Sequence, residues 1–302
     1  TNKGRVHWLK VFELPELSRA AKGKALVNLL QLAEGERIQA ILPVRDFGEG
    51  GFVVLATRHG TIKKTELEQF SNPRRGGIIA INIADEDELI AASRTKAGDQ
   101  ILLATQDGKS IRFNEEQVRA MGRSATGVRG ISTREGDATV GMEVLKPGKT
   151  ILTACENGFG KRTPLADYPV KGRGGLGVIN IQARPGARNG DVIGMRLCRG
   201  DDDVMYITAG GMIVRSPVAD TRPMGRNVQG VRMVNLKEGD RLVGAEIVRM
   251  EGRLGIIKPG ALADILVVAG DPIKKLELLT GQGEHLAVIM KAGKFHKNRL
   301  AA

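Results

Sequence analysis

The sequence predicts an all-β repeat protein: a propeller-like array of about five four-stranded blades, the first incomplete, followed by a short β-rich tail. Three observations carry this prediction. A glycine after a polar turn, followed by basic residues and a strand-like run, returns about every fifty residues, at Gly4, Gly60, Gly108, Gly158 and Gly211. A glycine-rich basic loop running into an apolar strand follows each time. An acidic turn entering a further strand comes third, always in that order. A fixed period in this range implies one supersecondary unit per repeat. Forty glycines and only 3% aromatic residues suit short strands joined by tight turns.

The first unit opens with TNKGRVHWLK, continues through Lys22-Gly23-Lys24 before ALVNLL, and closes with EGERIQAIL. The second reads ATRHGTIKKT, Arg74-Arg75-Gly76-Gly77 before IIAINI, and DEDELIAAS. The third reads ATQDGKSIRF, a loop at 123–127 before VRGI, and EGDATVGME. Its four strands are expected at ELIAAS, QILLAT, SIRFN and GVRGI, alternating or β-branched runs bounded by Gly, Asp and Asn. The fourth reads ACENGFGKRT, a loop at 171–177 before VINI, and NGDVIGMRL; the fifth reads ITAGGMIVRS, a loop at 226–230 before VRMV, and EGDRLVGAE. Asp107-Gly108 and Asn157-Gly158 are the best hairpin turns, because these residue types tolerate positive φ. Helical signals are sparse: 14–22, 114–120 and 273–279, each about two turns long. The period stops near Glu251, where the apolar runs ILVV and LAVIM should seek a sheet edge, the incomplete first blade being one.

The chain carries 46 Lys+Arg against 34 Asp+Glu, a net charge of +12. That excess speaks about partners rather than fold, with nucleic acid first and an anionic membrane surface second. The membrane reading is poor. No apolar run approaches the ~20 residues of a spanning helix, and no basic amphipathic helix is visible. No signal peptide is evident, and the chain begins mid-pattern at a turn, so it reads as a fragment or excised domain. The candidate phosphate-binding cations after the turns are Lys63, Lys64, Lys109, Arg112, Lys161, Arg162 and Arg215. Those in or beside the loops are Lys22, Lys24, Arg74, Arg75, Arg123, Arg129, Lys171, Arg173, Arg226 and Arg232. Solvation explains any one exposed cation. It does not require a repeating phase, which instead points to positive charge stacked along one surface for a polyanion. Glycine beside arginine lets backbone amides and a guanidinium reach one phosphate. Aromatic residues do not interleave with these charges, so base stacking is not indicated. The expected ligand is duplex DNA, held by its backbone and bent, with little sequence readout.

Other features have plainer readings. Cys155 and Cys198 sit in strand-like runs and read as reduced core thiols. The four histidines show no ligand spacing, so neither metal nor cofactor is expected. Gly172, Gly174 and Gly177 form a G-x-G-x-x-G, but a strand-like VINI follows where a dinucleotide site needs a helix. Tyr168 and Tyr206 lie inside the repeat pattern, at a blade corner and in a strand, and are not read as nucleophiles. Asp201-Asp202-Asp203 reads as a solvated hairpin turn.

The strings TNKGRVHWLKVFELPELSRAAKGKALVNLLQL, GTIKKTELEQF, VRAMGRSATGVRGI and NGFGKRTPLADYP resemble the C-terminal domain of the DNA gyrase A family, in order from Thr1 to about Met250. The resemblance implies a β-pinwheel, a propeller-like disc whose blades exchange a strand with their neighbours. It implies a non-catalytic, DNA-wrapping role that sets the handedness of a DNA crossing for supercoiling. It implies, as partners in a bacterial, nucleoid-associated cytoplasmic enzyme, the gyrase A cleavage domain and the gyrase B subunit. The family's first-blade box, Gln-Arg-Arg-Gly-Gly-Lys-Gly, is absent; the nearest likeness, Asn72 to Gly77, lacks its trailing Lys-Gly. From about Glu251 the chain instead resembles the C-terminal β-segment of amidohydrolases, through Pro259, Gly260, Ala263 and Asp264, as a chimera would, whether a fusion or a misassembled reading frame. Rival readings are a protein-interaction propeller, which would not need a cation at the loop phase, and an amidohydrolase fragment, which would need upstream metal-ligand histidines.

Overall fold

The computed structural model describes residues 1–14, 25–183 and 186–248, and the backbone of the tail strands at 265–268, 286–291 and 294–298. The chain divides into two compact units, Thr1–Gly200 with Val204–Ile247, and Asp201–Asp203 with Val248–Ala302.

The first unit is a propeller-like array of sheets. Strands β1 (Arg5–Val6), β2 (Phe52–Thr57), β3 (Thr61–Glu66), β4 (Ile78–Ile79) and β5 (Leu89–Thr95) come first, then β6 (Gln100–Thr105), β7 (Lys109–Asn114), β8 (Val128–Arg129) and β9 (Thr139–Leu145). They are followed by β10 (Thr150–Cys155), β11 (Phe159–Pro164), β12 (Val178–Ile179), β13 (Val192–Cys198), β14 (Asp203–Thr208), β15 (Ile213–Pro217), β16 (Val231–Arg232) and β17 (Leu242–Val248). Three sheets have four strands, in the orders β5-β2-β3-β8, β9-β6-β7-β12 and β13-β10-β11-β16. The first repeat contributes the pair β1-β4, and the fifth the three-stranded β15-β14-β17.

These orders show how a repeat is distributed. Each hairpin is closed on one side by the long strand after the acidic turn of its own repeat. On the other side the hairpins β2-β3, β6-β7 and β10-β11 each receive a two-residue strand from the next repeat. The four strands expected together in the third unit therefore divide between sheets: β6 and β7 form one hairpin, while β5 and β8 belong to the preceding blade. Sequence order misleads here because a four-stranded blade completed by exchange is not contiguous in the chain. The exchange implied by the resemblance is thus present.

The turn glycine makes exchange possible. Gly4, Gly60, Gly108 and Gly158 have φ between 71° and 84°, a region costly for other residues. A Cβ at any of them would lie under 3.0 Å from the carbonyl oxygen of Ile81, Ile131, Ile181 or Val234 in the next repeat. Each glycine carbonyl accepts two amides from that incoming segment, as Gly108 does from Asn180 and Ile181. The core lies between successive sheets: Val54, Ile62, Ile101, Leu103, Phe113 and Ile131 form one buried cluster drawn from adjacent blades.

Helix is confined to short 3-10 turns among the described residues of this unit. The expected helix at 114–120 is only the turn Glu115–Gln117, since Val118 returns to extended backbone to reach the blade interior, where it is buried. The signal at 273–279 and most of that at 14–22 lie outside the described residues. In the second unit, β18 (Ile265–Val268), β19 (Leu286–Lys291) and β20 (Lys294–Asn298) form an antiparallel sheet in that order. The runs ILVV and LAVIM thus pair with each other.

Candidate nucleic-acid interface

Five of the seven candidate cations on the second hairpin strands are turned into contacts between blades rather than onto a surface. Lys63, Lys64, Lys161 and Arg162 are buried, and Arg112 is half-buried. Their register explains why. Four residues after the turn glycine stand Trp8, Lys64, Arg112 and Arg162, each donating to a 3-10 turn of the next repeat. Trp8 Nε1 donates to the Phe70 carbonyl at 3.0 Å, and Lys64 to the carboxylate and carbonyl of Glu115. Arg112 donates to the carbonyls of Leu165 and Tyr168 at 2.6 and 3.0 Å, and Arg162 to that of Val218 at 3.2 Å. One position earlier, Lys63 donates to the carbonyls of Ala80 and Arg123. Lys161 donates to Thr163 Oγ1 and the carbonyls of Gly225 and Arg226, each at 2.8 Å. Burial, with Arg123 adding repulsion, pushes the Lys63 amine down to about 8. Burial and the Arg226 guanidinium push Lys161 down to about 7. The phase recurs because the hydrogen bond between blades recurs, and a phosphate cannot reach donors so enclosed.

The loops differ. There Arg74, Arg75, Arg129, Lys171 and Arg232 are exposed and Arg123, Arg173 and Arg226 half-buried, while on the hairpin strands Arg215 is exposed and Lys109 half-buried. Arg173 donates to the carbonyls of Gln117 and Arg129 at 2.8 and 2.9 Å. Arg226 donates to those of Asp167 and Ile179, both at 2.5 Å. These two therefore tie loops to neighbouring repeats while leaving part of the side chain accessible. The loop glycines Gly77, Gly127, Gly177 and Gly230 all have positive φ, and a Cβ there would lie under 3.0 Å from a carbonyl oxygen of the preceding repeat. Glycine lets each basic loop cross onto its neighbour's strand. Lys22 and Lys24 lie outside the described residues.

Sequence reasoning misses two cations. Arg5 lines an open groove of about 440 Å³ together with Arg74 and Arg123, and its guanidinium donates to the Gly76 carbonyl at 2.5 Å. Arg188 and Arg232 lie over the Phe159 ring, each 4.4 Å from its centroid. Arg5 directly follows the turn glycine and was legible by phase; Arg188 follows no marker.

The acidic marker also has a structural duty. Asp87, Asp137 and Asp240 accept the hairpin-turn amides of His59, Asp107 and Gly210 in their own repeats. Tyr168 and Tyr206 are buried, and burial raises the pKa of both phenols. Tyr168 donates to Asn180 Oδ1 at 2.6 Å. Cys155 and Cys198 are buried thiols not joined in a disulfide, with burial and then Asp191 pushing Cys155 up to about 12. Asp201 is exposed, but Asp202 and Asp203 are buried, contrary to the solvated turn expected, with β14 beginning at Asp203. Among the described residues, no helix is long and apolar enough to cross a membrane.

Comparison with known proteins agrees with this architecture. The family model described as DNA gyrase C-terminal domain, beta-propeller, matches residues 1–45, 51–96, 99–146, 149–199 and 202–249. The DNA gyrase A protein of Salmonella typhimurium is 46% identical over 246 residues, covering 82% of this chain and 28% of that protein. The DNA gyrase A protein of Chlamydia pneumoniae is 43% identical over 249 residues, 82% of this chain and 30% of that protein. The chain therefore spans less than a third of these relatives' length. The solved C-terminal domain of a DNA topoisomerase IV superposes with a TM-score of 0.75 at 26% identity, covering 82% of this chain and 77% of that one. A solved DNA gyrase A C-terminal domain superposes at 0.71 and 23% identity, covering 82% and 80%, and shares the fold.

Proposed function

The chain belongs to the DNA gyrase C-terminal domain family, and from that premise we propose that it is a non-catalytic module that binds duplex DNA through the phosphate backbone and bends it over its basic loops. The observation that carries the reading is the exposed set Arg74, Arg75, Arg129, Lys171 and Arg232, all five in or beside glycine-rich crossings of successive repeats, with Arg215 exposed on β15. Groups on rigid crossings can follow a bent phosphate backbone with little reorganisation. In the parent enzyme the partners would be the gyrase A cleavage domain and gyrase B, and the bend would set the handedness of a DNA crossing. Residues 251–302 would form a separate segment of amidohydrolase type, joined as a fusion and not needed for DNA binding.

The test uses two unrelated duplexes of about 40 bp labelled at both ends, long enough to report a bend whose elastic cost over 20–30 bp is ~1–6 kcal/mol. Equal affinity for both sequences, with the ends drawing together on binding, is expected. Failure to bind, a strong preference for one short sequence, or binding with no change in end-to-end distance would overturn the proposal.

A further inference from the structure

The fifth sheet has an edge that the other hairpins do not have. β3, β7 and β11 are each covered by a two-residue strand from the next repeat, β8, β12 and β16 respectively. Among the described residues no strand covers the corresponding side of β15. Ile213 is 58% exposed there, and a Cβ on Gly211 would meet nothing within 4 Å, whereas at the four earlier turn glycines it would strike the incoming segment.

The first repeat holds the matching piece without a seat. In the repeat phase, residues 25–29 correspond to the exchanged segments that begin at Gly77, Gly127, Gly177 and Gly230. Yet Leu26–Asn28 is a 3-10 turn, closed by the Asn28 amide on the Ala25 carbonyl at 3.0 Å, and Val27 is 61% exposed. Among the described residues, one chain thus carries an exchange strand with no acceptor and an acceptor with no exchange strand.

We propose that β15 accepts residues 25–29 of a second copy of this chain, joining copies head to tail by the same exchange that joins successive blades. The register follows from the established pairs. Thr61 faces Arg129 and Ile62 faces Val128; Lys109 faces Ile179 and Ser110 faces Val178. By the same rule Met212 faces Val27 of the second copy, and Ile213 faces its Leu26. The Gly211 carbonyl accepts the amides of Asn28 and Leu29, as Gly60 does those of Gly130 and Ile131. Leu29 then occupies the place of Ile131 and Ile181, both buried. An uncovered edge is a template for pairing with another chain, and a contact between different surfaces propagates unless it closes into a ring. The incoming strand must give up one 3-10 turn and the interface is small, so association is weak.

The test is sedimentation velocity on the full chain without DNA, across about a 100-fold range of concentration, because contacts smaller than about 1,200 Å² are transient. The weight-average mass should rise from one chain toward two or more. Ile213→Lys, which charges the exposed acceptor edge, and Asn28→Pro, which removes the amide offered to Gly211, should each remain monomeric throughout. Val27→Lys serves as a second donor variant should Asn28→Pro disturb the local turn; circular dichroism of each should match the parent. An equimolar mixture of acceptor and donor variants should form a two-chain species and nothing larger, since only one intact edge and one intact strand can meet. A parent that stays monomeric at every concentration overturns the proposal. So does association unchanged in both variants, or a mixture that gives no two-chain species.

Discussion

Gly108 and Gly211 hold the same place in different repeats and nearly the same backbone angle, φ of 80° and 82°. A Cβ at Gly108 meets Ile181, whereas one at Gly211 meets nothing. Gly211→Ala should therefore cost only the left-handed strain of roughly 1–2 kcal/mol. Gly108→Ala should cost at least ~1–3 kcal/mol more, because the incoming strand must shift. Equal losses in chemical denaturation would show that the close approach is not what fixes glycine at this phase. Lys161 supports a prediction with a definite sign. Its folded pKa, about 7, lies below the ordinary value of 10.5, so between those limits the unfolded chain binds a proton that the folded chain has released. The stability of the parent relative to Lys161→Met should then rise with pH from 7 to 10.5 and stay flat below 7. Melting temperatures of both proteins at pH 6.5, 8 and 9.5 check this, and a pH-independent difference would refute it.

At the scale of elements, the unit of cohesion is the link between blades. Arg112 joins its strand to the 3-10 turn Leu165–Asp167 through two carbonyls, and Gln100 Oε1 holds the guanidinium at 2.9 Å. Arg112→Ala should destabilise the first unit by about 1–3 kcal/mol, while Arg75→Ala, exposed on a loop, should stay within about 0.5 kcal/mol. A melting temperature unchanged in Arg112→Ala would show that this link does not hold the blades together. The repeat, the turn glycines and the strand positions were legible in the sequence because glycine at positive φ and β-branched runs are local signals. The exchange was not legible from them, because β8 and β16 are two-residue strands whose partners lie in another repeat. The duty of Lys63 and Lys161 was hidden for a related reason. A lysine that recurs in phase looks the same whether it faces solvent or the carbonyls of Arg123 and Arg226, and only the fold distinguishes the two. Glycine beside arginine marked the loop crossings but not their exposure, since Arg173 and Arg226 sit beside glycines and are half-buried against neighbouring carbonyls.

At the scale of the whole molecule, the net charge of +12 divides into cations that hold blades together and cations that face outward, and only the latter can neutralise phosphates. Six exposed members of the sequence-derived set give an expected slope of log K against log salt of about −5, at ~0.9 per phosphate. The most direct test measures this slope for the parent, for Arg74→Ala/Arg75→Ala/Arg232→Ala, and for Lys161→Met, all at a temperature where each is folded. The slope should fall by about 2–3 in the loop variant, uniformly across duplex sequences, and stay at the parental value in Lys161→Met. A loop variant that keeps the parental slope, or a buried-lysine variant that loses as much, would contradict this division of the charge.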